Sequence, residues 1–256
     1  MATLETDPMY QFEVQPVFEL PTVLGIDLTI TNTALCMIIV VLLIAGGLSF
    51  LSRRGALVPS RGQSVAELLY EFVADMAKSI MGKDGMRFFP YIFTLFTFIF
   101  VANLLGLVPG MFTVTSHIIV TLMLGLITIG TVLWVGFTKN GLGFLRLFAP
   151  AGLPLWIYPL LVPIEILSFL SRPISLAIRL FANMLAGHVL LKLFGGFTIQ
   201  LVGALGLVGA GGILAILSMG ILTAVTGLEF LIAFLQAYIF AVLSCIYIND
   251  ALHPSH

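Results

Sequence analysis

Apolar residues run along this chain in five long stretches, with few polar positions inside them. The first, about Leu28 to Leu51, suits one crossing of a hydrocarbon core, which takes about 20 helical residues. Phe88–Val108 and His117–Phe137 are of the same class. The fourth, about Leu153–Phe194, and the fifth, about Ile199–Ile248, are too long for one upright helix. Each reads as two short spans or as one steeply tilted helix. No charged turn divides either, so the pattern favours two long tilted helices joined as a hairpin at Gly195-Gly196. Pro159, Pro163 and Pro173 are expected to bend the first of them. Residues 62–81 differ: Val65, Leu68, Leu69, Phe72, Val73, Met76 and Ile80 recur at helical spacing, with Glu67, Glu71, Asp75 and Lys78 elsewhere on the wheel. That predicts an amphipathic helix on the membrane surface. The expected fold is an all-α integral membrane protein, a single membrane domain over residues 1–256. It has about five membrane helices (28–51, 88–108, 117–137, 153–194 and 199–248), one interfacial helix (62–81) and a tail at 1–27.

Composition agrees. The chain is 60% hydrophobic and 9% charged, where a soluble domain carries about 25% charge. A net charge of −1 gives no reason to expect a nucleic-acid partner. Cys36 and Cys245 lie inside apolar runs and read as small buried hydrophobes, so neither a disulfide framework nor a metal site is expected. Residues 1–27 hold Glu5, Asp7, Glu13, Glu19 and Asp27 but no Lys or Arg, the wrong charge for a signal or transit peptide. Arg53, Arg54, Arg61, Lys78, Lys83 and Arg87 fall between the first two spans, and Lys139 and Arg146 precede the hairpin. The positive-inside rule makes these segments cytoplasmic, the N-terminus external and the C-terminus cytoplasmic, with Lys192 alone on the opposite side. Gly203, Gly206, Gly209, Gly211 and Gly212 suggest close helix packing or a smooth wall for a sliding partner.

The chemistry sits in the last two stretches. Arg179 is roughly 20 Å of helix from the nearer end of its apolar run, too deep for an ordinary snorkelling side chain. Its guanidinium stays protonated, so a fixed cation is kept where a bilayer disfavours one. At 100° per residue, Glu165, Ser168, Arg172, Arg179 and Asn183 share one sector of the fourth stretch. Ser218, Glu229, Gln236 and Tyr247 align in the same way on the fifth, and His188 points roughly opposite Arg179. Plainer roles compete: Arg172 suits snorkelling or an ion pair with Glu165, Asn183 and Gln236 suit interhelical hydrogen bonds, and His188 and His117 suit interfacial positions. Glu229, between apolar neighbours, is harder to explain as structure alone. Phosphate-binding loops, metal-ligand spacings and Ser-His-Asp sets are missing from the sequence, so no cofactor is expected and energy-converting chemistry is expected on a partner.

Residues 171–188, Ser-Arg-Pro-Ile-Ser-Leu-Ala-Ile-Arg-Leu-Phe-Ala-Asn-Met-Leu-Ala-Gly-His, resemble the signature of the subunit a family of F-type ATP synthases. Asn-Leu-Leu-Gly-Leu-Val-Pro at 103–109 and Leu-Gln-Ala-Tyr-Ile-Phe at 235–240 resemble motifs of the same family. The resemblance implies a non-catalytic stator of the proton channel with two offset half-channels, in a bacterial inner membrane. It implies a c-subunit ring, peripheral-stalk b subunits and the rest of the complex as partners, and H⁺ as the ion. Arg179 then matches the arginine facing the rotor carboxylates, and Asn183 and Gln236 its polar neighbours. Glu165 matches a carboxylate of the cytoplasmic half-channel. His188 and Glu229 match a pair of the outer half-channel, in the arrangement of alphaproteobacterial and mitochondrial members. An ion-coupled secondary transporter is the alternative, although such folds usually show broken helices in matching halves and no internal pairing is visible here. A structural membrane scaffold would leave Arg179 and Glu229 unexplained.

Overall fold

The computed structural model of the chain describes residues 13–18, 29–53, 59–108, 111–148, 156–205 and 210–253. Six helices dominate: α1 (Asn32–Leu51), α2 (Arg61–Gly85), α3 (Phe89–Gly106), α4 (Ile118–Asn140), α5 (Tyr158–Leu205) and α6 (Ala210–Leu252). A two-stranded antiparallel pair, β1 (Pro16–Phe18) with β2 (Ile30–Thr31), precedes them. Five of the helical runs are long and apolar enough to cross a membrane, as an all-α membrane fold requires.

Local chemistry sets the helix ends. The first span starts at Asn32 and not at Leu28, because the polar pair Thr31-Asn32 caps it. Asn32 Oδ1 accepts from the Thr33 amide at 2.9 Å and from the Gln15 amide at 3.2 Å, while its Nδ2 donates to the Glu13 carbonyl at 2.9 Å. This end of α1 is thereby tied to the tail. Ser60 caps α2 by accepting from the Gln63 amide. Regular helix in α2 stops before Gly82, whose φ of 62° favours glycine. The amphipathic reading of α2 holds for Val73 and Met76, which are buried, but Val65 and Leu68 are exposed at 61% and 65%. An interfacial helix has lipid on one side and protein on another, so both its apolar faces find a partner.

The hairpin differs most from expectation. The chain does not turn at Gly195-Gly196: α5 runs through both to Leu205, and the connection to α6 falls in 206–209, outside the described residues. Glycine is a weak breaker inside a membrane, where freed backbone groups have no water to turn to. Gly203, which was expected to pack closely or border a partner, has nothing within 4 Å of where a Cβ would stand. Pro159 falls in the first turn of α5, where its missing N–H costs no helical bond, so it is not a bending position. Pro163 and Pro173 do lie inside the helix.

The chain groups into two compact units. The first comprises Met1–Val41, Phe100–His117 and Leu180–Leu235; the second comprises Leu42–Ile99, Ile118–Arg179 and Gln236–His256. In the second, α4 presents Thr121, Gly125, Thr128, Val132 and Val135 as a buried stripe. A Cβ at Gly125 would stand 3.1 Å from the Pro173 carbonyl oxygen, so this glycine lets α4 and α5 touch backbone to backbone. Asn140 Nδ2 donates to the Ala251 carbonyl at 2.7 Å, joining the ends of α4 and α6. Phe72 lies against Phe96 and Tyr238, attaching α2 to α3 and α6. In the first unit, Asn103 Nδ2 donates to the Ala233 carbonyl at 3.2 Å and Phe100 meets Phe234 edge to face, attaching α3 to α6.

Candidate functional site

The second unit holds Glu165, Ser168, Arg172, Arg179, Gln236 and Tyr247. Leu176, Ala177 and Leu180 are the buried side of α5, so the guanidinia of Arg172 and Arg179 emerge on its exposed side. His253 Nε2 approaches Asp84 Oδ2 to 3.9 Å, and neither Arg172 nor Arg179 makes such a contact with a carboxylate among the described residues. Arg179 thus has no carboxylate at pairing distance within the described chain. The alternative of an Arg172–Glu165 pair is not realised. The Arg172 guanidinium lies instead over the Tyr247 ring, 5.9 Å from its centroid, where the aromatic face attracts a cation. Tyr247 is within electrostatic reach of Arg179 too. Gln236 is buried, and its Oε1 has no hydrogen-bond partner among the described residues.

The first unit holds Asn183, His188, Ser218 and Glu229. Glu229 is 7% exposed, and neither carboxylate oxygen has a hydrogen-bond partner among the described residues. It packs directly against Gly187: a methyl group there would overlap Glu229 Oε1. His188, the next residue, shares a 2.9 Å hydrogen bond with Thr113 Oγ1 through its Nε2. The expected pair is therefore brought to adjoining places on α5 and α6 without a direct hydrogen bond between its members. Lys192, one turn further along α5, is within electrostatic reach of His188. Ser218 bonds Thr198 across the α5–α6 hairpin at 2.8 Å.

Several residues of this unit escaped the sequence reading as site candidates. Asn103 is fully buried, and its Oδ1 has no hydrogen-bond partner among the described residues. Thr115 Oγ1, Thr33 Oγ1 and His117 Nε2 are likewise buried and unpartnered among the described residues. The His117 ring stacks on Phe112, with the centroids 4.9 Å apart. The available signal was weak, since polar residues between two helices read as ordinary connection. Buried polar atoms rarely stay unpartnered, and a group of them implies water.

A family model described as ATP synthase A chain matches residues 34–249. The chain is similar to "ATP synthase subunit a" of Chelativorans sp. (strain BNC1), 55% identical over 253 residues, covering 99% of this chain and 100% of that protein. It is similar to the protein of that name from Mesorhizobium japonicum, 54% identical over 256 residues and 100% of both chains. "ATP synthase subunit a 1" of Brucella anthropi is 53% identical over 253 residues, 99% of this chain and 100% of its own.

Proposed function

We propose a proton route that starts from one premise: the chain belongs to the ATP synthase A chain family. Its function is that of the stator subunit of the proton channel, a multi-pass membrane protein of the ATP synthase complex. It performs no ATP chemistry itself; that resides on partner subunits. Its immediate partners are a ring of c subunits and the peripheral-stalk b subunits. In a bacterial inner membrane the N-terminus is outside and the C-terminus cytoplasmic, as the Lys/Arg bias of the connections indicates. A tag after Ile248 is then reachable only from the cytoplasm, and one before Leu28 only from outside.

The observation that carries the route is Arg179, exposed on α5 with no carboxylate of the described residues at pairing distance. Ser171, Ser175, Ala182 and Ala186, spaced to share its face, are exposed too. A ridge of small residues lets another helix come close, so a rotor carboxylate can reach the guanidinium. A proton enters from outside by way of Glu229 and His188 and neutralises such a carboxylate. The neutral form crosses lipid at far lower cost than the ion. When the carboxyl returns to Arg179, the opposite charge favours its ionised form, and the proton leaves towards the cytoplasm past Glu165. Asn183 and Gln236 hold water and orient the rotor group beside Arg179, while Arg172, Ser168 and Tyr247 support the inner side. The fixed cation also repels a proton passing straight from one path to the other.

The test is Arg179→Ala, with Arg179→Lys beside it, in inverted vesicles with assembly checked by immunoblot. Coupled synthesis should vanish in both, since an ammonium lacks the planar fork and hydrates more strongly. Assembly should stay near normal, and passive proton leak should persist or rise in Arg179→Ala. Proton-driven synthesis by assembled Arg179→Ala would defeat the reading.

A further inference from the structure

Thr113 is 4% exposed, and the chain goes to some length to place it. It precedes a one-turn 3-10 helix at Val114–Ser116, with φ −87° and ψ 104°. Its carbonyl accepts from the Ser116 hydroxyl at 2.6 Å and from the Ser116 amide at 3.3 Å, which closes the turn and fixes the residue. Gly106, the last residue of α3, leaves the room its side chain needs: a Cβ there would stand 2.7 Å from Thr113 Cγ2 and 3.1 Å from Oγ1. Held from both sides, Thr113 Oγ1 meets His188 Nε2 at 2.9 Å.

A hydroxyl is donor and acceptor at once. When Nε2 is bare, the threonine O–H donates to it; when Nε2 carries a proton, its N–H donates to the threonine oxygen. The contact therefore survives every protonation state of the ring, and the imidazole keeps its orientation while its charge changes. A donor-only or acceptor-only partner would hold one state and release the other. Among the described residues, Lys192 on α5 acts electrostatically on this ring, and α6 places Glu229 against the neighbouring Gly187; Thr113 adds a contact that involves no charge of its own. We propose that Thr113 is a positioning residue of the outer proton path, keeping His188 Nε2 in one register as the ring gains and loses a proton. The inference rests on the reading of His188 as a proton carrier.

The assembled ATP synthase in inverted vesicles tests it through ATP-driven proton pumping, with subunit content measured by immunoblot. Thr113→Val, nearly isosteric but without the hydroxyl, should slow pumping about tenfold, the scale of losing one hydrogen bond to a charged group, at unchanged subunit content. Thr113→Ser should restore most of the rate. In a His188→Ala background, Thr113→Val should slow pumping no further. Native pumping by Thr113→Val beside an impaired His188→Ala overturns this inference alone. So does a Thr113→Ser variant as slow as Thr113→Val, or an equal slowing in the His188→Ala background, since each assigns Thr113 to packing. Native pumping by His188→Ala overturns the His188 reading itself, and this inference with it.

Discussion

The two units bury polar groups in different ways. In the second, Thr97, Thr128 and Ser244 are buried, and each hydroxyl returns to the carbonyl four residues back in its own helix, at 2.7, 2.9 and 2.8 Å. Such groups need nothing from outside their helix. In the first, Glu229, Asn103, Thr115, Thr33 and His117 all bury oxygen or nitrogen atoms that nothing in the described chain meets. A bilayer makes unmet polar atoms costly, so their grouping in one unit marks where water belongs. On the proposed route, the second unit holds shape and presents Arg179, and the first carries the water. Among the described residues of the second unit, Gln236 Oε1 is a buried atom without a partner, and it belongs to a residue proposed to orient the rotor group.

The largest effect that sharpens this contrast is expected at Glu229. Glu229→Gln keeps the volume and removes the ionisable group, so proton-driven synthesis should fall by roughly a hundredfold or more, the usual loss for a deleted acid–base group, while assembly persists. Exchanging the pair, His188→Glu with Glu229→His, should retain more synthesis than His188→Glu alone. Equal rates would show that the two side chains do not act together.

Next comes Gly187→Ala. The added methyl overlaps Glu229 Oε1, and the carboxylate has to move. A displaced proton carrier loses rate steeply, up to about a hundredfold for a shift near 1 Å. Pumping should therefore fall although no ionisable group has changed. Native rates in Gly187→Ala would mean that Glu229 works from more than one place.

The matched glycine of the other unit gives the opposite phenotype. In Gly125→Leu the side chain is driven towards the Pro173 backbone, only 3.1 Å from the first added carbon. Overpacking of this kind costs about 1–3 kcal/mol. Thermal unfolding in detergent should begin earlier and less complex should accumulate, with an unchanged pumping rate per assembled complex. A loss of rate per complex at native stability would erase the distinction between the two units.

Much of this was legible in the sequence, and the rest for definite reasons was not. Helical periodicity aligned Glu165, Arg172, Arg179 and Asn183 on one helix and Ser218, Glu229, Gln236 and Tyr247 on the next, because angular spacing is a local property. It could not tell which stripe is covered. Arg179 is exposed, whereas Glu229, Gln236 and Tyr247 are 7%, 6% and 8% exposed, a difference made by neighbouring helices. Gly195-Gly196 looked like a turn because glycine propensity is calibrated in water, and the membrane weakens that signal. Thr113 and Asn103 were invisible as site residues because their partners, His188 and the Ala233 carbonyl, lie far along the chain.

The smallest effect is the most direct test of the contrast. Thr115→Val and Thr97→Val are the same near-isosteric change at two buried threonines, at 0% and 2% exposure. Thr97 Oγ1 is bonded to the Phe93 carbonyl, which keeps its own helical amide, so its loss should cost at most about 1 kcal/mol and leave pumping untouched. Thr115 Oγ1 has no partner in the described chain. Were it dry, valine would relieve an unmet polar atom, and the complex would gain up to roughly 1–3 kcal/mol with no change in rate. A hydrated Thr115 Oγ1 predicts the reverse: little gain in stability and a two- to threefold slower pump, about the loss of one water-mediated hydrogen bond. Measuring melting temperature and pumping rate on both variants separates the cases. Identical behaviour of the two threonines would remove the wet-against-dry distinction at the place where it is most finely drawn.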